Sequence, residues 1–486
     1  MCSDYSRVPR GPITLIPPDV LLEIFDACRI VHEDTSEDPS SVHGLSVRAG
    51  PPAIAAVCQG WRDLAVHTPT LWTDVHIKLW SNNLSSATRL LRVILARSAE
   101  LPLSISMRSF EIEPDAPEAV EPLVNALLEQ SARWSRLDVC VSEEVFHLLL
   151  PAQGRLPQLR SLRSRILYRM TTRLDWAPFR DLFRDCPALV DVEHWGPKLD
   201  FPWEQLVRLS LKGHPPPGAL ERTTRARVLH LMEHPIEASS YDKHLWENAL
   251  HLERPKLEKL AIRIVRRLRC VRAPNLTDCH ILKSMMSPED LGAVTKYVLA
   301  ESLRLTTLSI AVQPPIAQEL SELLAHCPAL CLLQLRLVPI SWEPTYTVHH
   351  NTAAYSSALS LLIIHRDHPV LLPALRHLRL MMDYVLSADA FASLVDIFQS
   401  RSAAPDDIAV SLQSLELRIR SGREVDLTEG ISDLDVQLQS CRVEGLPAVS
   451  IYQELINENR TSLRRIWLEV SYRLQRMRTK QVITVC

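Results

Sequence analysis

One frame, L-x-x-L-x-L, recurs along most of the chain and constrains its fold more than any other feature. It stands as Leu206, Leu209 and Leu211; Leu257, Leu260 and Ile262; Leu305, Leu308 and Ile310; and Leu330, Leu333 and Leu335. It returns as Leu375, Leu378 and Leu380; Leu412, Leu415 and Leu417; and Leu463, Ile466 and Leu468. Weaker copies are Trp134 with Leu137 and Val139, Leu159 with Leu162, Leu189 with Val192, Ala226 with Leu229 and Leu231, and Leu276 with Cys279 and Ile281. Each frame closes on a two-residue alternation, the period of a strand with one buried face. Proline stands two residues before the first leucine in LPQL, CPAL, RPKL, APNL and LPAL, where its fixed φ sets the chain's approach to the strand. Between frames, PEAVEPLVNALLEQSAR, PEDLGAVTKYVLAES, PIAQELSELLAHC, ADAFASLVDIFQSRS and PAVSIYQELINENR read as helices. Strand followed by helix, repeated, describes units that cannot bury their apolar faces alone and must stack on their neighbours.

This pattern resembles a degenerate leucine-rich repeat. First-position separations of about 19 (Leu257 to Leu276) and about 25 (Leu305 to Leu330, Trp134 to Leu159) lie near that class's roughly 20 to 29 residues. Leu330 to Leu375 and Leu412 to Leu463 are about twice as long, so each needs an insertion or a missed unit. The asparagine that closes the repeat consensus is mostly absent, which predicts an irregular arc; a plain α/β domain with a mixed sheet is the alternative. The resemblance implies an extended concave strand face suited to gripping another protein. Alternation assigns Arg208, Lys259, Thr307, Gln334, Arg379, Glu416 and Arg465 to the exposed strand positions.

The N-terminal part is different. In IPPDVLLEIFDAC, Val20, Leu21, Ile24, Phe25 and Cys28 share one side of a helix. Pro17 and Pro18 precede it and Asp19 sits in its first turn, as the helix dipole favours. A helix is expected from near Pro18 to Cys28 or Val31, then a polar loop from His32 to Gly44. A second stripe of Ile54, Val57, Cys58, Trp61, Leu64 and Ala65 predicts one helix from Pro51 and Pro52 to Pro69, weakened at Gly60, after which Leu71 and Trp72 close a small helical cluster. A unit of this size, roughly 60 residues, is near the lower limit of independent stability. It gains by sharing apolar surface with something else.

From about Leu15 to Ile77 these residues resemble an F-box, in the form common among basidiomycete fungi. Two separated segments, IPPDVLLEIF and AVCQGWRDLAVHTPTLW, agree in residue type and order. The resemblance implies that Ile16, Pro17, Leu21, Ile24, Phe25, Val57, Cys58 and Trp72 build or support a surface that docks on the Skp-type adaptor of a cullin ubiquitin ligase, with Trp61 filling the interior. Ile16 and Asp19 replace the more usual leucine and glutamate, and the loop between the helices is longer than in the compact form. The expected fold class is therefore α/β, a small N-terminal helical F-box followed by an irregular leucine-rich-repeat-like α/β solenoid. The expected divisions are a flexible segment 1–14, helical domain 15–78, solenoid 79–470 and basic tail 471–486. The expected role is the substrate-recognition subunit of a Skp-cullin-F-box ubiquitin ligase, binding the adaptor, through it a cullin, and an unknown protein substrate. The alternative is a non-ligase repeat scaffold for protein binding, its N-terminal helices serving as a cap.

Composition narrows the other classes. With 54 basic against 57 acidic residues and net charge −3, no global field recruits nucleic acid or a membrane surface. Only 12 glycines accompany 34 prolines, which leaves little material for phosphate-binding loops. The 11 cysteines have no repeating pair spacing, and no secretory signal is visible, so reduced thiols and a cytoplasmic or nuclear location are expected. The glycosylation patterns at Asn83, Asn275 and Asn459 are then fortuitous. His365, Arg366 and Asp367 match part of a protein-kinase catalytic loop, but Leu372 stands where that loop needs asparagine. His349, His350, His365 and His368 lack a ligand group of metal spacing, and Cys327 with Cys331 lack a second pair. No metal, no cofactor and no catalysis by this chain are expected; in a ligase of this kind the reacting cysteine belongs to another subunit, and the receptor contributes proximity.

Overall fold

Each L-x-x-L-x-L frame from Trp134 to Leu417 becomes a parallel strand, and the turn before it has one recurrent design. The computed structural model describes residues 16–30, 50–79, 84–109, 117–167, 176–213, 215–216, 218–232, 252–313, 316–338, 355–365, 370–383, 388–402, 409–421, 448–455 and 470–471. The amide of the first leucine donates to the carbonyl three residues back: Leu159 to Leu156, Leu189 to Cys186, Leu257 to Arg254, Leu276 to Ala273, Leu330 to Cys327 and Leu375 to Leu372. Proline is the second residue of each of these turns, the place where its fixed φ costs nothing and its missing N–H is not needed. The next carbonyl then accepts two successive amides of the following repeat. Thr277 takes Thr306 and Thr307, Thr306 takes Cys331 and Leu332, and Cys331 takes Arg376 and His377.

The chain divides into two compact units, Met1–Thr223 and Thr224–Cys486. The first begins with helices α1 (Pro18–Ile30), α2 (Gly50–Val57) and α3 (Gln59–Val66) and a 3-10 turn over Pro69–Trp72. Strands β1 (Asp74–Leu79), β2 (Leu103–Ser109), β3 (Trp134–Ser142), β4 (Ser161–Leu167), β5 (Asp191–Trp195) and β6 (Arg208–Lys212) pair in chain order, all parallel. Helices α4 (Leu84–Arg97) and α5 (Pro117–Leu128) make the first two crossovers, and α6 (Glu143–His147) and α7 (Ala219–Arg222) are short. The strands alternate buried side chains with half-buried or exposed ones. On the covered side, Val75, Ile105, Leu137, Leu162, Val192 and Leu209 form one continuous cross-strand layer.

In the second unit β7 (Val228–Met232), β9 (Lys259–Ile262), β11 (Asp278–Ile281), β12 (Thr307–Val312), β13 (Leu332–Leu337), β14 (His377–Asp383), β15 (Ser414–Ser421) and β16 (Ala448–Leu455) pair in parallel, in that order. Strand β17 (Val470–Ser471) joins β16 antiparallel, and β8 (Leu252–Glu253) pairs with β10 (Val271–Arg272) apart from the main sheet. Helices α8 (Pro288–Ala300), α9 (Ala317–Ala325) and α10 (Ala388–Ser402) lie between strands. Helix α8 opens on a capping box in which Ser287 and Asp290 satisfy each other's amides. Leu260, Cys279, Leu308, Leu333, Leu378 and Leu415 repeat the buried layer of the first unit. Each such leucine contributes roughly 2 kcal/mol of burial.

Several expectations need correction. The segment PAVSIYQELINENR, read as a helix, contains β16. Its alternation of Val449, Ile451, Gln453 and Leu455 is a strand period, and eight consecutive residues pair with β15. It is also the missed unit between Leu412 and Leu463; the frame at Leu463, with Arg465, lies outside the described residues. The long gap from Leu330 to Leu375 is instead an insertion, since β13 and β14 pair directly. The single helix expected from Pro51 to Pro69 is two, broken at Cys58, whose φ of −156° is extended. The expected boundary at residue 78 falls inside β1. Segment 1–14 and the tail, apart from Ser471, lie outside the described residues.

Candidate partner-binding surface

The eight residues expected to make the docking surface separate into an inner and an outer set. Pro17 is exposed and its carbonyl accepts the Leu21 amide at 3.1 Å, which begins α1. Leu21 is 8% exposed and Phe25 0%. The Phe25 ring meets Trp61 edge-on, with centroids 4.9 Å apart, a favourable aromatic arrangement. Trp72 is 1% exposed; its Nε1 donates to the Ala65 carbonyl at 2.8 Å and the Arg97 guanidinium lies over its ring at 4.6 Å. Cys58, half-buried, caps α3 by accepting the Trp61 amide on its Sγ. Leu21, Phe25 and Trp72 are interior, Cys58 borders them and Pro17 lies outside.

The outer set is apolar and uncovered. Ile24 is 38% exposed and Val57 54%, and Ile16 is half-buried. Val20, 48% exposed, was in the helical stripe but not among the docking residues. Its i,i+4 spacing to Ile24 places the two side by side on α1. Helix α2, which ends in Val57, packs against α1. Among the described residues eight large apolar side chains are exposed, and three of them are Val20, Ile24 and Val57. Scattered exposed apolar residues need no explanation, but three of the eight on one small helical unit do.

Of the strand positions assigned to an exposed face, Arg208, Lys259, Arg379 and Glu416 are each paired with a residue on a neighbouring strand. Directly opposed residues on neighbouring strands form ion pairs: Arg208 with Asp191 at 3.7 Å, Lys259 with Asp278 at 2.7 Å, Arg379 with Glu416 at 2.9 Å and Arg163 with Glu193 at 3.4 Å. Glu416 also receives Arg418 at 2.6 Å. Exposed pairs of this kind contribute little stability, about 0 to 1 kcal/mol, and mainly fix side-chain positions. Gln334 borders, with Arg379, Met381, Glu416 and Arg418, a depression of about 80 Å³, far below the roughly 300 Å³ of a small-molecule site. Thr307 is half-buried on β12.

Several groups with chemical potential are buried. His194 accepts the Ser164 hydroxyl on Nδ1 at 2.7 Å and donates from Nε2 to the Pro197 carbonyl at 2.7 Å. Burial pushes its pKa down to about 4, so it is neutral at pH 7. The space beside it is about 10 Å³, room for about one water. Burial pushes the thiols of Cys186 and Cys279 up to about 12 and that of Cys327 to about 11, which makes them inert. Cys331, half-buried, lies 3.5 Å from the Ala329 carbonyl. Among the described residues no group of three or more His, Cys, Asp and Glu is placed to hold a metal, and no helix is long and apolar enough to cross a membrane. His365 lies among the described residues, whereas Arg366, Asp367, His368, His349 and His350 do not. No family model and no curated protein matches the chain.

Proposed function

We propose that this chain is the substrate-recognition subunit of a Skp-cullin-F-box ubiquitin ligase. In this reading α1 to α3 form an F-box that docks on a Skp-type adaptor, and the parallel-strand repeats are a leucine-rich-repeat-like arm that receives a protein substrate. The observation that carries the reading is the two-sided first helix: Leu21 and Phe25 are packed inward while Val20 and Ile24, with Val57, are left to water. A helix that already has a core on one side gains nothing from further exposed aliphatic residues unless a partner covers them. No chemical step is assigned to the chain; it brings substrate and conjugating machinery together.

The second reading, a non-ligase scaffold whose helices cap the repeats, is favoured by one contact. Trp72 is held between Ala65 and Arg97, so the helical cluster also closes the end of the first sheet's core. Capping accounts for Trp72 but not for the exposed valines and isoleucine. The deciding experiment is co-expression with a fungal Skp-type adaptor followed by size-exclusion chromatography. Wild type should co-elute, and the exposed-site variant Val20→Asp/Ile24→Asp should elute alone while remaining folded. Wild type that elutes alone rejects the ligase reading in favour of the cap.

A further inference from the structure

The open face of the first sheet carries a cross-strand row whose charge is all of one sign. Parallel register aligns Lys78 of β1 with Arg108 of β2, Cys140 of β3, Arg165 of β4, Trp195 of β5 and Lys212 of β6. All six lie on the side of the sheet opposite the buried layer; Arg165 and Lys212 are exposed and the other four half-buried. The row thus has four cations and no acid. The next row towards the strand starts, His76, Ser106, Asp138, Arg163, Glu193 and Ser210, holds the acids instead. There Arg163 is taken by Glu193, and Asp138 reaches up to Arg108 at 3.7 Å.

Trp195 organises the remaining charge. The Arg165 guanidinium lies 3.9 Å from its ring centroid and the Lys212 ammonium 4.6 Å. Among the described residues neither cation is paired with a carboxylate. The ring quadrupole holds them in place without neutralising them, so their charge stays available. In the rows below, Arg163 is paired with Glu193 and Arg208 with Asp191.

We propose that this row binds an extended acidic segment of a partner protein, one rich in Asp and Glu. This rests on the reading of the strand face as a protein-binding surface, and does not depend on the adaptor. Adjacent strands are about 4.8 Å apart, so the row spans roughly 24 Å, the length of about seven extended residues. Lys78 and Arg108 stand at one end of the row and Arg165 and Lys212 about Trp195 at the other, which matches charges distributed along a peptide. A single phosphate asks for a focused cluster. One aromatic ring and a chain of net charge −3 do not make a nucleic-acid track, which alternates stacking platforms with continuous positive charge.

The test uses the full chain and a fluorescein-labelled ten-residue peptide of alternating Glu, Asp, Gly and Ser, followed by anisotropy at low salt. Saturable binding is expected, weakening at least tenfold on adding salt and at least tenfold in Arg165→Glu/Lys212→Glu. A neutral peptide with one phosphoserine and a single-stranded oligonucleotide of equal length should each bind at least tenfold more weakly than the acidic peptide. Absence of saturable binding, unchanged affinity in the double variant, or tighter binding of the phosphopeptide or oligonucleotide overturns the proposal. If the double variant does not fold, the readout is Trp195 itself: peptide-induced change in tryptophan emission should be lost in Trp195→Phe, and its persistence overturns the proposal. Wild type that binds the peptide but never co-elutes with the adaptor rejects the ligase reading alone; the reverse rejects this one alone.

Discussion

Arg401 donates from Nη1 to the carbonyl of Leu372 at 3.1 Å, and Leu372 is a non-glycine residue with φ of 57°. The same guanidinium donates from Nε to Leu362 at 2.6 Å and from Nη2 to Leu371 at 2.8 Å. Arg401 is fully buried, with no carboxylate partner among the described residues, and burial pulls its pKa down to about 10. A desolvated cation is tolerated here because three carbonyl dipoles replace its water. It ties α10 to the insertion between β13 and β14 and holds the strained turn that leads into β14.

Replacement of Arg401 by Met should therefore strand three buried carbonyls and cost on the order of 3 to 5 kcal/mol. Lysine should not rescue it, because one ammonium cannot reproduce a planar fork that serves three acceptors. Urea denaturation of Arg401→Met and Arg401→Lys checks this. A loss under about 1 kcal/mol in the lysine variant would show that charge rather than fork geometry holds the site. Arg133 makes the analogous staple in the first unit, donating to Leu101 and Ser98.

Ala99 and Ser302 occupy left-handed backbone positions after α4 and α8, with φ of 49° and 51°. Around Ser302 the chain closes as a helix-ending motif, Leu303 donating to Val298 and Ser302 to Leu299. Both residues are exposed, so no packing is lost on truncation. Glycine at either position should raise stability by about 0.5 to 1 kcal/mol, the relief of Cβ strain exceeding the extra unfolded-state entropy. Thermal unfolding of Ala99→Gly and Ser302→Gly, singly and together, measures it; the two are in different units and should add.

His194 predicts acid sensitivity. Its folded pKa of about 4 lies below the unfolded value of about 6.5, so between those limits the unfolded chain binds more protons. Stability is full above pH 6.5 and falls as pH drops towards 4, by about 3 kcal/mol from this residue. His230 and His280, whose pKa values burial also lowers, act in the same direction. They flank Ala261 across β9. Denaturation midpoints at pH 7.5, 5.5 and 4.5 should show a smaller acid loss in His194→Gln than in wild type. Gly196→Ala should destabilise at every pH, since a Cβ there would lie 2.9 Å from His194 Cε1 and 3.0 Å from the Ile166 side chain.

Much of the fold was legible because its signals are local. The Leu-x-x-Leu-x-Leu frames, the prolines before them and the helix start at Pro18 each depend on a few adjacent residues. Misreadings arose where local signals competed. In PAVSIYQEL a helix-compatible composition hid a strand period that only pairing with β15 decides. At Cys58 a thiol acting as helix cap left the apolar stripe uninterrupted in sequence while breaking the helix in space. Strand β2 carries its leading Leu103 one residue out of step, with a register shift between Leu103 and Ser104, and β1 is led by Trp72 in place of leucine, so neither shows the frame in sequence. The basic row was invisible for a different reason: Lys78, Arg108, Arg165 and Lys212 are far apart in sequence, and register alone aligns them. On α1 periodicity found the stripe but not which of its members faced inward.

That division of α1 gives a prediction independent of any partner. Phe25 is fully buried against Trp61, and Leu21 is nearly so. Phe25→Ala should cost about 3 to 5 kcal/mol and Leu21→Ala about 2 to 4. Val20→Ala and Ile24→Ala, one helical turn apart on the exposed side, should each stay within about 0.5 kcal/mol. Urea denaturation separates the two pairs, and the adaptor assay should reverse their order, with Ile24→Ala weakening co-elution at unchanged stability. If Ile24→Ala instead destabilises the free protein as much as Leu21→Ala, that side of α1 is covered by the chain's own residues. The helices would then be a cap, and the surface left for an adaptor would disappear.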